Sequence, residues 1–192
     1  MKLRKRLILA SRSPRRIALL RQIGFDPEVV PSSLPEEFDS TLSPSENVMR
    51  IAGKKAAEVG RDVANGLIVG ADTIVVVNGR VLGKPETQRE AVLMLEALSG
   101  RTHTVFTGIA VLDKPSDTIV EEVEATDVTF RMLPRSEIDD YVAGGSPLDK
   151  AGAYGIQDDY GAVFVTRIEG CFYNVVGLPL SRLHRILQRF QS

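Results

Sequence analysis

The feature that most constrains the fold is the run Leu67–Val77, the most apolar stretch of the chain. Its many β-branched residues favour a buried β-strand. Asn78-Gly79 comes next and is the strongest short signal for a hairpin, so we expect Arg80–Leu82 to return antiparallel. One acid, Asp72, lies inside this apolar run, where a carboxylate is costly unless it is partnered or functional.

A second strand is expected at Leu7–Leu9, and a helix follows it. Ser13 is typical of an N-cap, Pro14 of a first helical residue and Gly24 of a helix end. Further helices are predicted from Ser43 to Val59, between Thr87 and Gly100, at Glu137–Ala143 and at Pro179–Phe190, and further strands at Glu28–Val30, Thr104–Leu112, Thr118–Leu133 and Ala162–Glu169. This mixed order predicts one α/β domain over residues 1–192, with a mixed sheet and flanking helices.

Composition excludes several classes of function. The 24 basic and 25 acidic residues give a net charge of −1, without the basic excess typical of nucleic-acid binding. A single cysteine, Cys171, permits no internal disulfide and fits a reducing compartment. No apolar run is long enough to span a membrane, and the basic start lacks the apolar core of a signal peptide. We therefore expect a cytoplasmic protein without nucleic-acid or membrane partners.

Two arginines, Arg15 and Arg16, fall in the first turn of the first helix. Cations there oppose the helix dipole, which favours negative charge at that end. Ser11 and Ser13 add small polar groups to the same turn. The turn is therefore a candidate phosphate cradle, although two solvated surface arginines would have the same spacing.

Two lysines extend this candidate anion site. Lys55 lies on the apolar face of the helix that begins after Ser43, and Lys84 follows the hairpin. The alternatives are a lysine whose amine reaches water and an ordinary turn residue. Together with the arginines, these cations suit a ligand that carries several phosphates.

Asp72 could act as a general base, bind a metal ion or be a buried structural acid. Gly70 and Ala71 leave room for a ligand, and Thr73 adds a hydroxyl, so we favour a functional role. Either Glu36 or Glu37, in the long loop after Asp26, could complete a site for Mg²⁺ or Mn²⁺. Both ions prefer oxygen ligands, and Mg²⁺ commonly joins one or two carboxylates to substrate phosphates.

Gln157 lies in a Gly- and Asp-rich segment. Its amide can donate and accept, which suits the imide edge of uracil or thymine; the alternative is a loop glutamine in water. The chain has no Walker A motif, no GxGxxG, no zinc-ligand spacing and no visible support for a covalent nucleophile.

These motifs make the chain recognisable. It resembles the Maf (septum formation inhibitor-like) family of nucleoside triphosphate pyrophosphatases over nearly its whole length. Any single match is weak, but the matches occur in the family's order. The matching pieces are Ser11–Arg16, Gly70–Thr73, Gly83–Pro85, Ser99–His103, Asp149–Gln157 and Val175–Pro179.

The resemblance implies an inosine-triphosphate-pyrophosphatase-like fold with a cleft between two lobes. It also implies hydrolysis of a nucleoside triphosphate to the monophosphate and pyrophosphate with a divalent cation, and it suggests a homodimer. Asp72 matches the proposed proton acceptor, and Glu37 matches the acidic position near the metal, although Glu36 competes for that assignment. The family's basic phosphate-binding positions are matched here by Arg16, Lys55 and Lys84.

Arg15, Thr73 and Gln157 match the positions associated with substrate choice. The Ala-Asp-Thr and Ile-Gln patterns look like the branch that acts on dTTP and UTP, and modified pyrimidine nucleotides are further candidate substrates. The branch acting on 7-methyl-GTP usually carries Ser-Asp-Gln and lacks this glutamine.

The mechanism expected is attack of water on the α-phosphorus, with Asp72 activating the water directly or through a metal. Two other functions remain open at this point. One is a nucleotide-binding regulator of cell division that does not turn its ligand over. The other is a nucleotidyltransferase, which would need a second, acceptor substrate.

Overall fold

Local sequence signals account for the first helix and for the long helix that begins after Ser43. The computed structural model describes residues 3–157 and 160–191. The Ser13 side chain caps the first helix, with Pro14 at its start. Ser43 and Glu46 form a reciprocal capping box at the start of the second helix, which satisfies backbone N–H groups that would otherwise lack partners. The predicted positions of both helix starts are confirmed.

Within the described residues, seven strands form one mixed sheet in the order β2-β1-β3-β5-β6-β7, and β4 pairs with β3. β1 runs parallel to β2 and β3, whereas the β3–β4 and β6–β7 pairs are antiparallel. The strands are β1 (Leu7–Leu9), β2 (Glu28–Val29), β3 (Gly66–Val77), β4 (Arg80–Leu82), β5 (Thr102–Lys114), β6 (Thr118–Phe130) and β7 (Val165–Glu169). The predicted α/β class with a mixed sheet is confirmed.

The described α-helices are α1 (Pro14–Gln22), α2 (Pro44–Gly60), α3 (Gln88–Leu98), α4 (Arg135–Ala143), α5 (Phe172–Val176) and α6 (Leu180–Gln188). Short 3-10 turns occupy Ser146–Asp149, Ala151–Ala153 and Tyr160–Phe164. None of the helices in the described part of the chain is long and apolar enough to cross a membrane.

The chain divides into two compact units. The first comprises Met1–Asp72, Thr107–Glu124 and Gly177–Ser192, and the second comprises Thr73–Phe106 and Ala125–Val176. The single domain over 1–192 and the cleft between two lobes stay predictions.

In the first unit, α2 packs unusually close to the sheet. Ala52 and Ala56 are fully buried in the core of this unit. A Cβ atom added at Gly70 would lie 2.1 Å from the Ala52 carbonyl oxygen, and one at Gly108 would lie 2.3 Å from the Val48 backbone. Glycine is therefore required at both places, and the close approach holds α2 directly over β3, the strand that carries Asp72.

The second unit has an aromatic core. Phe130 contacts His103, Tyr154 and Phe164 edge-to-face, with ring centroids 4.9, 4.7 and 5.8 Å away. Tyr141 packs on Phe164 in the same manner. Edge-to-face contacts of this kind are favoured by the ring quadrupoles.

Several element boundaries differ by one to three residues from the sequence prediction, the largest differences being at the end of β6 and the start of β7, and one helix was not predicted. β6 ends at Phe130, not Leu133, and the Arg131 N–H that follows it donates to the Phe164 carbonyl. β7 begins at Val165, because residues 160–164 form a 3-10 turn and not the start of the strand. The five-residue helix α5 was not predicted, since it is short and its sequence carries no capping signal.

Candidate functional site

The turn between β1 and α1 is organised by serine side chains. Ser13 Oγ accepts from the Arg16 N–H at 3.5 Å, and Ser11 Oγ accepts from the Ser13 N–H at 3.2 Å. The first turn of α1 contains no acid. The predicted cradle therefore has the expected local conformation, with Arg15 half-buried and Arg16 buried.

Arg16 points into the first unit. Its Nε donates to the Gly177 carbonyl at 2.9 Å, and its Nη1 donates to the Ala71 carbonyl at 2.9 Å and to Ser11 Oγ at 3.2 Å. One guanidinium thus joins the turn after β1, the middle of β3 and the segment before α6. Because the Ala71 carbonyl precedes Asp72 directly, Arg16 also fixes the backbone that carries the candidate proton acceptor.

Lys55 lies between two carboxylates. Its Nζ donates to Asp72 Oδ1 at 2.8 Å and to Glu36 Oε1 at 2.6 Å, and it lies 3.5 Å from the Ala71 carbonyl oxygen. Asp72 and Lys55 are only 4% and 6% exposed. The lysine is therefore buried with its charged end, and the prediction that it faces inward is confirmed.

The pKa of Asp72 depends on its burial and on the charged groups around it. Burial raises the pKa of Asp72 above its ordinary value, even though the Lys55 ammonium and the Arg16 guanidinium favour the charged carboxylate and Glu36 opposes it. Burial likewise lowers the pKa of Arg16, although the negative charge of Asp72 acts to raise it. A carboxylate with a raised pKa is a better proton acceptor than an exposed one, since its pKa lies closer to neutral pH.

Glu36, not Glu37, makes the contact with Lys55. The neighbouring Glu37 is exposed, and its backbone carbonyl accepts from Arg50 Nη2 at 2.6 Å. The sequence alone did not distinguish Glu36 from Glu37, because the loop that carries them has no periodic pattern to show which side chain faces inward. The role of Glu37 at a metal stays a prediction, while Glu36 is the acid that the fold brings to the Asp72–Lys55 pair.

The donor set fits a divalent cation that takes other ligands from its substrate. Among the residues that the structure describes, no group of three or more His, Cys, Asp or Glu side chains could hold a metal ion. Asp72 and Glu36 both contact the Lys55 ammonium, so the two carboxylates lie close to each other. Two carboxylates and substrate phosphates are a usual environment for Mg²⁺.

Three predicted site residues belong to the second unit. Thr73 is half-buried directly after Asp72, and Lys84 and Gln157 are exposed. The Gly152 N–H donates to the Gly83 carbonyl at 3.0 Å. The residue before Lys84 and the segment leading to Gln157 are thus joined within this unit.

Two hydrogen bonds were not predicted from the sequence. The Gly177 carbonyl that accepts from Arg16 is a backbone group, so no residue type marks it in advance. The imidazole of His103 lies 2.8 Å from the Tyr154 hydroxyl; both residues lie in recognised motifs, but nothing in the sequence paired them.

The fold and the site define a class: a mixed α/β protein in which a buried carboxylate is bonded by an ammonium and lies in the field of a buried guanidinium at a strand-to-helix turn. The family model described as Maf-like protein matches residues 6–190. This chain belongs to the Maf family.

Relatives from several bacteria are similar over nearly the full length. A protein named dTTP/UTP pyrophosphatase from Caldicellulosiruptor bescii is 48% identical over 189 residues, which cover 96% of this chain and 94% of that protein. Proteins of the same name from Dictyoglomus turgidum and Bacillus pumilus are 48% and 47% identical; the matches cover 98% and 96% of this chain and 97% and 96% of those proteins.

Proposed function

We propose that this protein hydrolyses dTTP and UTP to the nucleoside monophosphate and pyrophosphate. The observation that carries the proposal is the buried Asp72 carboxylate held at 2.8 Å by Lys55 in a family whose similar members bear the name dTTP/UTP pyrophosphatase. Such a buried ion pair gains little stability over apolar packing, so its presence favours a functional role.

In the proposed reaction Asp72 takes a proton from water. The water oxygen forms a bond to the α-phosphorus, the α–β anhydride bond breaks, and its electron pair leaves with pyrophosphate. Lys55 bonds Asp72 Oδ1 and so fixes the orientation of the carboxylate. The raised pKa of Asp72 favours proton acceptance.

The cations have separate proposed tasks. Arg16 is anchored on two backbone carbonyls, and its charge offsets the negative charge that gathers at the phosphates. Arg15, Ser11 and Ser13 contact the phosphate chain at the strand-to-helix turn, and Lys84 stabilises the leaving pyrophosphate.

A divalent cation, Mg²⁺ or Mn²⁺, belongs to the proposal. Asp72 and Glu36 would hold it through carboxylate oxygens, the donor type that both ions prefer. When bound, such an ion supplies positive charge that neutralises the triphosphate.

Base selection is proposed to rest on Gln157, Thr73 and Arg15. The amide of Gln157 can pair with both the N–H and a carbonyl of the uracil or thymine edge. Modified pyrimidines that keep this edge are further candidate substrates. The homodimer and the cytoplasmic location stay predictions.

The test is to incubate the purified protein with dTTP, UTP, dCTP, ATP and GTP in the presence of Mn²⁺ or Mg²⁺. We expect equal amounts of monophosphate and pyrophosphate, with dTTP and UTP preferred. Binding without product would favour a nucleotide-sensing regulator. Turnover only after addition of a second, acceptor substrate would indicate a nucleotidyltransferase. Release of orthophosphate would place the cleaved bond elsewhere and contradict the proposal.

A further inference from the structure

The acidic loop, defined here as residues 31–42, is bound by α2 on both sides of Glu36. On the N-terminal side Glu58 is the acceptor. Its Oε2 accepts from Ser32 Oγ and, at 3.1 Å, from the Ser33 N–H, while its Oε1 accepts from Ser33 Oγ at 2.7 Å. These three hydrogen bonds lower the pKa of Glu58, so the carboxylate stays charged at neutral pH.

On the C-terminal side Asn47 and Arg50 hold the same loop. Asn47 is fully buried; its Oδ1 accepts from the Asp39 N–H at 2.8 Å, and its Nδ2 donates to the Asp39 carbonyl at 2.8 Å. Arg50 Nη2 donates to the Glu37 carbonyl at 2.6 Å and to Asn47 Oδ1 at 3.2 Å. These bonds fix the backbone immediately after Glu36.

The anchors and the site lysine belong to one helix. At about 100° per residue, Asn47, Arg50, Lys55 and Glu58 fall within roughly 140° of one another around α2. Lys55 bonds Glu36 at 2.6 Å. Only Leu34 and Pro35 separate the Ser33 anchor from Glu36, and proline restricts the backbone between them. The same rigid element thus presents the lysine and sets the path of the loop.

We propose that Glu58 is a positioning residue that, with Asn47 and Arg50, delivers the Glu36 carboxylate to the Lys55–Asp72 pair. The proposal rests on the proposed pyrophosphatase function. Its physical basis is entropy: an unanchored loop must be ordered whenever Glu36 is needed, whereas an anchored loop is already ordered. The hydrogen bonds of the Glu58 side chain reach Ser32, Ser33 and Leu34, so the effect of removing this side chain starts in the acidic loop.

The test is a double-mutant cycle between Glu58→Ala and Glu36→Gln, read as kcat/KM for dTTP. We expect Glu58→Ala to lower kcat/KM about tenfold in the parent chain and to have no further effect in the Glu36→Gln background, because residues that act through one group are not additive. Glu58→Gln keeps one acceptor oxygen and should recover part of the loss. The matched control is Glu122→Ala, which removes a half-buried glutamate that accepts from Arg182 and Arg189 in the same unit and should leave kcat/KM unchanged.

Equal losses from Glu58→Ala in both backgrounds, or wild-type activity in Glu58→Ala or Glu36→Gln, would overturn the proposal. Amide hydrogen exchange provides a readout that needs no turnover. Glu58→Ala should speed exchange in residues 33–39 and leave β3 unchanged, and unchanged exchange in the loop would contradict the positioning role. Failure of the parent chain to release pyrophosphate would instead refute the proposed function, and the exchange experiment would still decide whether Glu58 orders the loop.

Discussion

His103 gives the stability of the second unit a defined pH dependence. The residue is 2% exposed, and its Nε2 shares a hydrogen bond of 2.8 Å with the Tyr154 hydroxyl. Within the described residues its Nδ1 is buried without a hydrogen-bond partner. Burial lowers the pKa of His103 from 6.5 to about 4, against a smaller opposing influence of Asp127.

The sign follows from proton binding. Between pH 6.5 and 4 the unfolded chain holds a proton on this imidazole and the folded chain does not, so acidification favours unfolding. Each pH unit below the unfolded value removes about 1.4 kcal/mol until the folded value is approached. Between pH 7 and pH 5 the loss from His103 alone is therefore about 2 kcal/mol.

The assay is urea unfolding of the parent chain and of His103→Gln at pH 7, 6 and 5. Glutamine does not titrate, so the variant should lose about 2 kcal/mol less than the parent between pH 7 and 5, whatever its stability at pH 7. Carboxylates elsewhere affect both proteins alike and cancel in the comparison. Parallel pH dependences of the two proteins would refute the reasoning, since they would mean that the folded protein protonates His103 normally.

Two other substitutions test the packing of α2 and the choice of base. Gly70→Ala should lower the free energy of unfolding in urea by about 3 kcal/mol, because the added Cβ would lie 2.1 Å from the Ala52 carbonyl oxygen. The matched control is Gly83→Ala, whose Cβ would meet nothing within 4 Å. This control should change the free energy of unfolding little. Gln157→Ala should lower the preference for dTTP over dCTP in kcat/KM by about tenfold, the value of one hydrogen bond, and an unchanged preference would exclude the proposed base contact.

The sequence predicted those elements that carry strong local signals. The Ser13-Pro14 start of α1, the capping box of α2 and the Asn78-Gly79 turn are each set by contacts within a few residues. The apolar spacing around Lys55 likewise predicted that it faces inward. In these cases the local preference and the tertiary packing agree.

What could not be predicted depends on contacts between distant residues. Three contacts of the site join segments that are far apart in the chain. They are the bonds of Lys55 to Asp72, of Lys55 to Glu36 rather than Glu37, and of Arg16 to the Gly177 carbonyl. A residue pattern shows which side chains are unusual but does not show which partner the fold brings to them. The acidic loop is the clearest case, since Asn47, Arg50 and Glu58 of α2 bind it from a different part of the chain.

The central claim is that Asp72 is the proton acceptor for hydrolysis of the α–β bond. The most direct test compares the parent chain with Asp72→Asn in pyrophosphate release from dTTP, with circular dichroism to confirm the fold. Asparagine has the same shape but cannot accept the proton, so we predict a loss in kcat of about 10²- to 10⁴-fold with secondary structure retained. Turnover by a folded Asp72→Asn variant within a few-fold of the parent rate would contradict the account.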